Sequence, residues 1–282
     1  MQRPVSPGLT HRPNIATMRN IVTDPTASAV ADFRDLAFAD RRPDRPGGRG
    51  LVIAEGAVVV ERLLASNYPV RAVLGLAHRL DSLDVPSQVP TYEVTATVMD
   101  QIVGFHLNRG VLATADRASM PTIAELSARA RVLLVLEGVN DHENLGAIFR
   151  SAAAFGVDGI ILGPKCSDPL YRRAIRVSMG HVLQVPFVTA PSWPQTLYDL
   201  ALEGFQCWAM TPYPPAVQLR SLPTTEDKIA IVVGAEGGGL TEVALAAVPR
   251  HIRIPMAAGV DSLNVATAAA IALHHLAGMP SD

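Results

Sequence analysis

Residues 251–273 read HIRIPMAAGVDSLNVATAAAIAL. A short apolar strand, HIRI, stops at Pro255, a loop turns at Gly259, and the chain then enters a helix made almost wholly of small apolar residues. Two polar residues, Ser262 and Asn264, stand at that entrance. Capping of a helix N-terminus accounts for Ser262. It leaves Asn264, in the expected first turn, without a structural reason. A strand, a loop with an unexplained polar residue and a helix are what the ligand-binding edge of a parallel α/β sheet is made of.

Upstream of this stretch the same alternation repeats. RVLLVLEGV, GIILG, LQVPFV, QCWAM, IAIVVG and HIRIP read as strands, with helices at NLGAIFRSAAAF, PLYRRAIRVSMG, WPQTLYDLALEGF, LTEVALAAV and SLNVATAAAIALHHLAG. Unbroken apolar strands between amphipathic helices predict a mostly parallel sheet covered on both faces over 132–282. Before it, LVIAEG, VRAVLGL, TYEV and VLATA alternate with helical AVVVERLLASN and TVMDQIVGF, giving a smaller α/β domain over 28–115, with a short helix at ASAVADFRDLAFA. The polar, Pro-containing segment 116–131 reads as a linker, and residues 1–27, rich in Pro, Thr and Arg, as a mobile arm.

The composition bounds the function. A chain of 282 residues, 49% hydrophobic, buries a full core and accommodates two domains. The net charge of −2 means that a polyanion must be met by a local patch. Cys166 and Cys207 are far apart in sequence and outside any CxxC spacing, which argues against a disulfide framework and a structural zinc site and for a reducing cytoplasm. No stretch reaches the roughly 18 apolar residues of a membrane span, and the N-terminus lacks a signal-peptide core.

Three predicted strand ends carry unusual loops. In GVNDHENLGAIFRSAAAFG (138–156), Asn144 opens a helix and Arg150 follows between Phe149 and a run of small residues; each alone reads equally as a cap or a surface residue. IVVGAEGGGLTEVAL (231–245) is a strand, a glycine-rich loop around Glu236 and a helix. Its glycines let a ligand approach the backbone closely. Neither a Lys-Ser/Thr pair nor a G-x-G-x-x-G register follows, so phosphate-loop and dinucleotide readings fail. The third loop is the opening stretch.

Together these loops resemble the SpoU, or TrmH-like, branch of the SPOUT RNA ribose 2′-O-methyltransferases. The motifs stand here as NLGAIFR (Asn144 to Arg150), GAEGGGL (Gly234 to Leu240), and IPM (Ile254 to Met256) followed by SLNV (Ser262 to Val265). The order and spacing of all three carry the resemblance; one glycine-rich loop would not. GLVIAEGAVVVERLLAS resembles the start of the domain like ribosomal protein L30e that precedes the methyltransferase domain in this family. The chain departs from the family at Asp141-His142-Glu143, where Asp-Pro is frequent, and at Ala235 and Gly238, where Ser and Glu are frequent; these changes bear on target choice more than on activity.

The resemblance implies an α/β fold whose C-terminal SPOUT domain holds a deep trefoil knot, and a cytoplasmic homodimer without metal. It also implies S-adenosylmethionine as donor and a ribose 2′-hydroxyl in structured RNA as acceptor, with 23S rRNA the leading target and tRNA the alternative. A non-catalytic RNA-binding protein that kept the fold is the competing class. The implied catalytic residues are Asn144, Arg150, Glu236 and Asn264; the donor pocket falls on Gly234, Ala235, Glu236, Gly237, Ile254, Met256, Ser262 and Leu263. Arginine is a poor general base, so Arg150 is expected to orient the ribose and its phosphate. Candidate phosphate contacts are Lys165, Arg172, Arg173 and Arg176, the first and last of these arginines four apart on one helix face, together with Arg41, Arg42, Arg45 and Arg49.

Overall fold

The structure, a computed structural model, describes residues 19–34, 36, 50–222 and 228–277. Arg19–Ile21 (β1), Val52–Glu55 (β2), Val70–Gly75 (β3), Thr91–Glu93 (β4) and Val111–Ala115 (β5) form one sheet in the order β1-β4-β3-β5-β2. β1, β4 and β3 run parallel, while β5 is antiparallel to β3 and β2. The strand period of two decides which helix each face meets. Val52, Ala54 and Val73 pack with Ala57–Leu64 (α1); Ile53, Ala72 and Leu74 pack with Ala96–Val103 (α3) and a 3₁₀ helix at Ser28–Phe33. A single helical turn, Ala77–Leu80 (α2), follows β3.

The second lobe begins with Ile123–Arg129 (α4). Then come Val132–Leu136 (β6), His142–Ala154 (α5), Gly159–Leu162 (β7), Arg172–Val177 (α6), Phe187–Thr189 (β8), Gln195–Leu202 (α7) and Gln206–Met210 (β9). Val217–Gln218 (β10), Ile229–Val233 (β11), Glu242–Ala247 (α8), Arg250–Arg253 (β12) and Val265–Ala277 (α9) complete it. The sheet is wholly parallel, in the order β10-β12-β9-β11-β6-β7-β8. Strands such as IAIVV in β11 are buried throughout because helices cover both faces. Leu133 and Val135 meet α4, α7 and α8, whereas Leu134 and Leu136 meet α5, α6 and α9. That second cluster runs on without a break into α1 and the first sheet, so the two lobes share one apolar core.

Three boundaries differ from the sequence reading. Arg19–Ile21 is a strand paired with Thr91–Glu93 and not part of a mobile arm. The second half of the expected linker is α4, held by a reciprocal cap in which Glu125 N–H donates to Thr122 Oγ1 and Thr122 N–H to Glu125 Oε2, with Leu126 buried under the second sheet. Pro121 and the polar run before it masked that box. Helix α5 starts at His142, because the Asp141 carboxylate accepts from the backbone N–H groups of Glu143 and Asn144; Asn144 does not open the helix.

Candidate active site

In the second sheet the chain runs from β6 outward to β8, then returns to the other side of β6. The crevice at the C-terminal ends of the strands beside such a reversal is where doubly wound sheets place ligands. Here the loops after β6, β11, β9 and β12 converge there. The loop after β11 folds back on itself, with Ala235 and Gly239 exchanging both backbone hydrogen bonds at 3.0–3.1 Å. A Cβ on Gly234 would overlap the backbone of Gly239 and Leu240, and Gly237 and Gly239 both adopt positive φ, so only glycine closes this turn. Its tip presents Glu236 to solvent.

The foot of that turn is anchored by Glu137, a buried carboxylate at the end of β6. It accepts from Thr241 N–H at 2.9 Å, Thr241 Oγ1 at 2.7 Å and Trp193 Nε1 at 2.7 Å. Three neutral donors replace the lost water, as a buried carboxylate requires.

Above this anchor, three side chains from three loops meet. Asn144 Nδ2 donates to Glu236 Oε1 at 2.8 Å; Asn264 Nδ2 donates to the same oxygen at 2.7 Å and to Asn144 Oδ1 at 2.8 Å. Asn264 Oδ1 in turn accepts from the backbone N–H groups of Ala266 and Thr267, at 3.0 and 3.2 Å. Asn264 is therefore the N-cap of α9, and the cap fixes which way its amide faces. Ser262, expected to cap, lies two residues before the Asn264 cap and lines the adjoining cleft. The expectation failed because Asn caps as well as Ser does, and the helix begins later than its apolar run suggested.

The cleft has a volume of about 380 Å³. Gly234, Ala235, Glu236, Gly237, Ile254, Met256, Ser262 and Leu263 all line it. So do Met210, which ends β9, and Thr211, Pro212 and Tyr213 of the loop after it, which the motifs did not mark. Their signal was positional: TPYPP follows a strand that neighbours β11. Gly238 has open space where a side chain would stand, on the cleft side of the turn.

Arg150 is not in the asparagine–glutamate cluster. It lies six residues beyond Asn144, roughly 9 Å along the helix axis. Exposed, it makes no hydrogen bond or ion pair among the described residues. Its charge is felt at His181, whose pKa is pushed below the usual imidazole value by burial, then by Arg62 and Arg150.

The arginines of α6 do not form one patch. Arg173 pairs with Glu143 beside Asn144, whereas Arg172 and Arg176 turn the other way, toward Glu55 of the first lobe. The four-residue spacing put the latter two on one face as expected, and Glu55 of the first lobe lies against that face, with Arg176 still partly exposed. Lys165 is an exposed residue with positive φ after β7. Arg41, Arg42, Arg45 and Arg49 lie outside the described residues.

Helices α5 and α6 cross closely at Gly146: a Cβ there would stand 2.7 Å from the carbonyl oxygen of Ala174 and 2.9 Å from Val177 Cβ. The glycine inside NLGAIFR thus serves packing, and the packing sets where Asn144 points. Burial pushes the thiols of both Cys166 and Cys207 up, Cys207 to about 11, away from the thiolate form. Among the described residues no group of three or more His, Cys, Asp and Glu could hold a metal ion, and no helix is long and apolar enough to cross a membrane.

This architecture is shared with solved methyltransferase structures. An AdoMet-bound rRNA methyltransferase from Sinorhizobium meliloti, 25% identical, aligns with a TM-score of 0.75 over 91% of this chain and 97% of its own. AviRb, a SpoU methyltransferase from Streptomyces viridochromogenes, shares the fold at 19% identity, with a TM-score of 0.68 over 81% and 90% of the two chains. Fold and strand-end loops thus define a SpoU-type α/β protein. The chain belongs to the SpoU rRNA methylase family, which residues 131–274 match. An uncharacterised tRNA/rRNA methyltransferase of Mycobacterium tuberculosis is 52% identical over 90% of either chain. The 23S rRNA (guanosine(2553)-2′-O)-methyltransferase RlmP of Bacillus subtilis is 27% identical over 80% of this chain and 88% of its own.

Proposed function

We propose that this protein transfers a methyl group from S-adenosylmethionine to a ribose 2′-hydroxyl of structured RNA, with 23S rRNA the leading target and tRNA the alternative. The observation that carries the proposal is the cluster of Asn144, Glu236 and Asn264 at the rim of the strand-end cleft. The cleft suits the donor: Ile252, Ile254, Met256 and Leu263 offer an apolar slot, the backbone of 234–239 offers donors and acceptors, and Gly237 and Gly238 leave room. When bound, S-adenosylmethionine supplies an electrophilic methyl group.

The protein's own part is to place the acceptor. Glu236 Oε1 is engaged by both asparagines, and its second oxygen has no partner among the described residues. That oxygen is free to accept from a substrate hydroxyl and orient it. Asn264 is held by its cap, so the amide holding Glu236 pays no ordering cost during the reaction. Arg150, half a helix away and permanently charged, binds RNA phosphate or ribose and takes no proton.

The fold detail belongs to the same proposal. α9 enters beside Glu236 and ends with His275 Nε2 against Leu222 O at 3.2 Å, so its two ends touch two different inter-strand loops, which supports a threaded, knotted chain. The mixed sheet with helices on both faces supports a first lobe like ribosomal protein L30e that binds RNA. A groove between α5 and α9, lined by Ala147, Phe155, Ala270 and the exposed Ile271, supports a homodimer joined through these helices. Light scattering checks the dimer: a monomer at assay concentration removes it.

Incubation with methyl-labelled donor and total RNA, followed by mapping of the labelled ribose, tests the activity. Label confined to one 2′-O position is expected; label on a base, or none alongside measurable donor binding, overturns it.

A further inference from the structure

Glu55 ends β2 at the seam between the lobes with its side chain only 7% exposed. Three guanidinium groups surround it. Arg172 Nη1 donates to Oε2 at 3.2 Å, Arg176 Nη1 lies 3.7 Å from the same oxygen, and Arg109 Nε lies 3.8 Å from Oε1. One well-placed guanidinium neutralises a carboxylate. Three therefore leave a surplus of positive charge at a seam where mutual repulsion opposes lobe contact. The surplus faces outward: side chains of Arg109 and Arg176 are 46% and 40% exposed, against 18% for Arg172.

Neither Arg109 nor Arg176 donates a hydrogen bond among the described residues. Each guanidinium has five N–H donors on two edges. Glu55 lies within 4 Å of each, and both side chains stay partly exposed. The Arg109 stem packs against Gly56, where a Cβ would meet its Cδ at 2.9 Å. Two partly exposed forks from two different lobes match the tetrahedral oxygens of a phosphodiester.

Helix α6 connects the cluster to the candidate active site. Arg173, on the other side of α6, is tied to Glu143, next to Asn144. Beyond Arg176 the seam continues to Arg62, whose Nη1 donates to Met179 O, and to Arg150; both charges reach His181.

We propose that the arginine cluster on Glu55 is an inter-lobe phosphate site, where one RNA backbone phosphodiester docks on the outer edges of Arg109 and Arg176 while Glu55 holds their inner edges. It rests on the RNA-methylating reading above and adds to it a fixed contact that sets the substrate across both lobes. Arg62 and Arg150 continue the track toward the reacting ribose.

Binding of transcribed 23S rRNA, measured by filter retention across a salt series, tests this on Arg109→Gln, Arg176→Gln and, as control, Arg250→Gln on the opposite, N-terminal side of the sheet. Each cluster variant is expected to weaken binding several-fold and to lower the slope of log K against log salt by about one. The control should leave both unchanged, and calorimetry should find donor affinity unaltered in all three. Glu55→Gln separates a phosphate site from an ion pair that serves stability alone. A phosphate site gains RNA affinity when the repelling carboxylate is removed, even as the melting temperature falls, whereas unchanged affinity with a lowered melting temperature assigns the cluster to stability alone and overturns the site. Wild-type slopes in both Arg109→Gln and Arg176→Gln overturn the site while leaving methylation of RNA standing. Failure of the wild-type protein to bind RNA at any salt overturns both.

Discussion

Two carboxylates in this protein live under opposite regimes. Glu55, buried between the lobes, is surrounded by three arginines; Glu236, exposed at the rim of the cleft, is held by two neutral amides on one oxygen only. Burial removes water, and a charge without water must be matched by charge or by a full set of hydrogen bonds. Exposure removes that demand, so Glu236 keeps an oxygen available to a ligand. A saturated carboxylate holds structure, and an unsaturated one in a preorganised cluster is suited to chemistry.

Changes around Glu236 should therefore cost activity, and changes around Glu55 stability. The largest effect is expected for Asn264→Ala. Methyl transfer should fall roughly 10²–10³-fold, the scale for losing a positioned polar group at a reacting centre. Stability should fall by about 1 kcal/mol, because the helix cap is lost as well. Asn264→Asp keeps the cap acceptor and loses the amide donors, so it should melt near the wild-type temperature and remain inactive. Single-turnover methylation and thermal melts on the same preparations decide it, and an active Asp variant breaks the contrast.

Next comes Arg150→Ala, expected to slow transfer by about 10²-fold, as for a misplaced reactant. An exposed residue without partners should change stability by less than about 0.5 kcal/mol. Donor affinity by calorimetry should not move; if it collapses, Arg150 belongs to the donor pocket.

The direct comparison is Glu55→Gln against Glu236→Gln. Removing one partner of a buried ion pair costs about 3–5 kcal/mol. Solvent around the half-exposed Arg109 and Arg176 lowers this to about 1–2 kcal/mol at the seam. Glu236→Gln should stay within about 0.5 kcal/mol. Urea denaturation of both variants measures the difference, and equal losses would sink the distinction.

The smallest effect is a pH slope. The folded-state pKa of His181 lies below its ordinary value of 6.5, through burial and the charges of Arg62 and Arg150, with Gln184 bonding Nδ1. The unfolded chain thus binds the proton more readily, and stability, complete above the ordinary value, declines as pH falls through it toward the folded pKa. His181→Gln should flatten the decline in urea midpoints between pH 7.5 and 5.5. An unchanged slope assigns it to other groups.

Much of this was legible in the chain. Strand and helix alternation in the second lobe followed from unbroken apolar runs such as VLLVL and IAIVV, because burial on both faces leaves no room for polar positions. The three loops were legible because asparagine and glutamate beside glycines at strand ends have no apolar surface to bury, and every donor-pocket residue named from them lines one cleft. Less legible were short elements whose signal is a neighbour: β1 exists because β4 offers it an edge.

Sequence alone determined the layered α/β architecture, the two lobes and the position of Asn144, Glu236 and Asn264 at strand ends, since periodicity and glycine placement act over a few residues. Only the tertiary structure decided that Asn264 is at once the cap of α9 and a donor to Glu236, that Arg150 stands apart from that cluster, and that Arg172 and Arg176 face Glu55 across the lobe seam. Apart from the cap itself, those pairings join residues 28 to 121 positions apart. Hydrogen bonds and ion pairs form wherever packing brings groups within reach, and no local pattern in the chain encodes that distance.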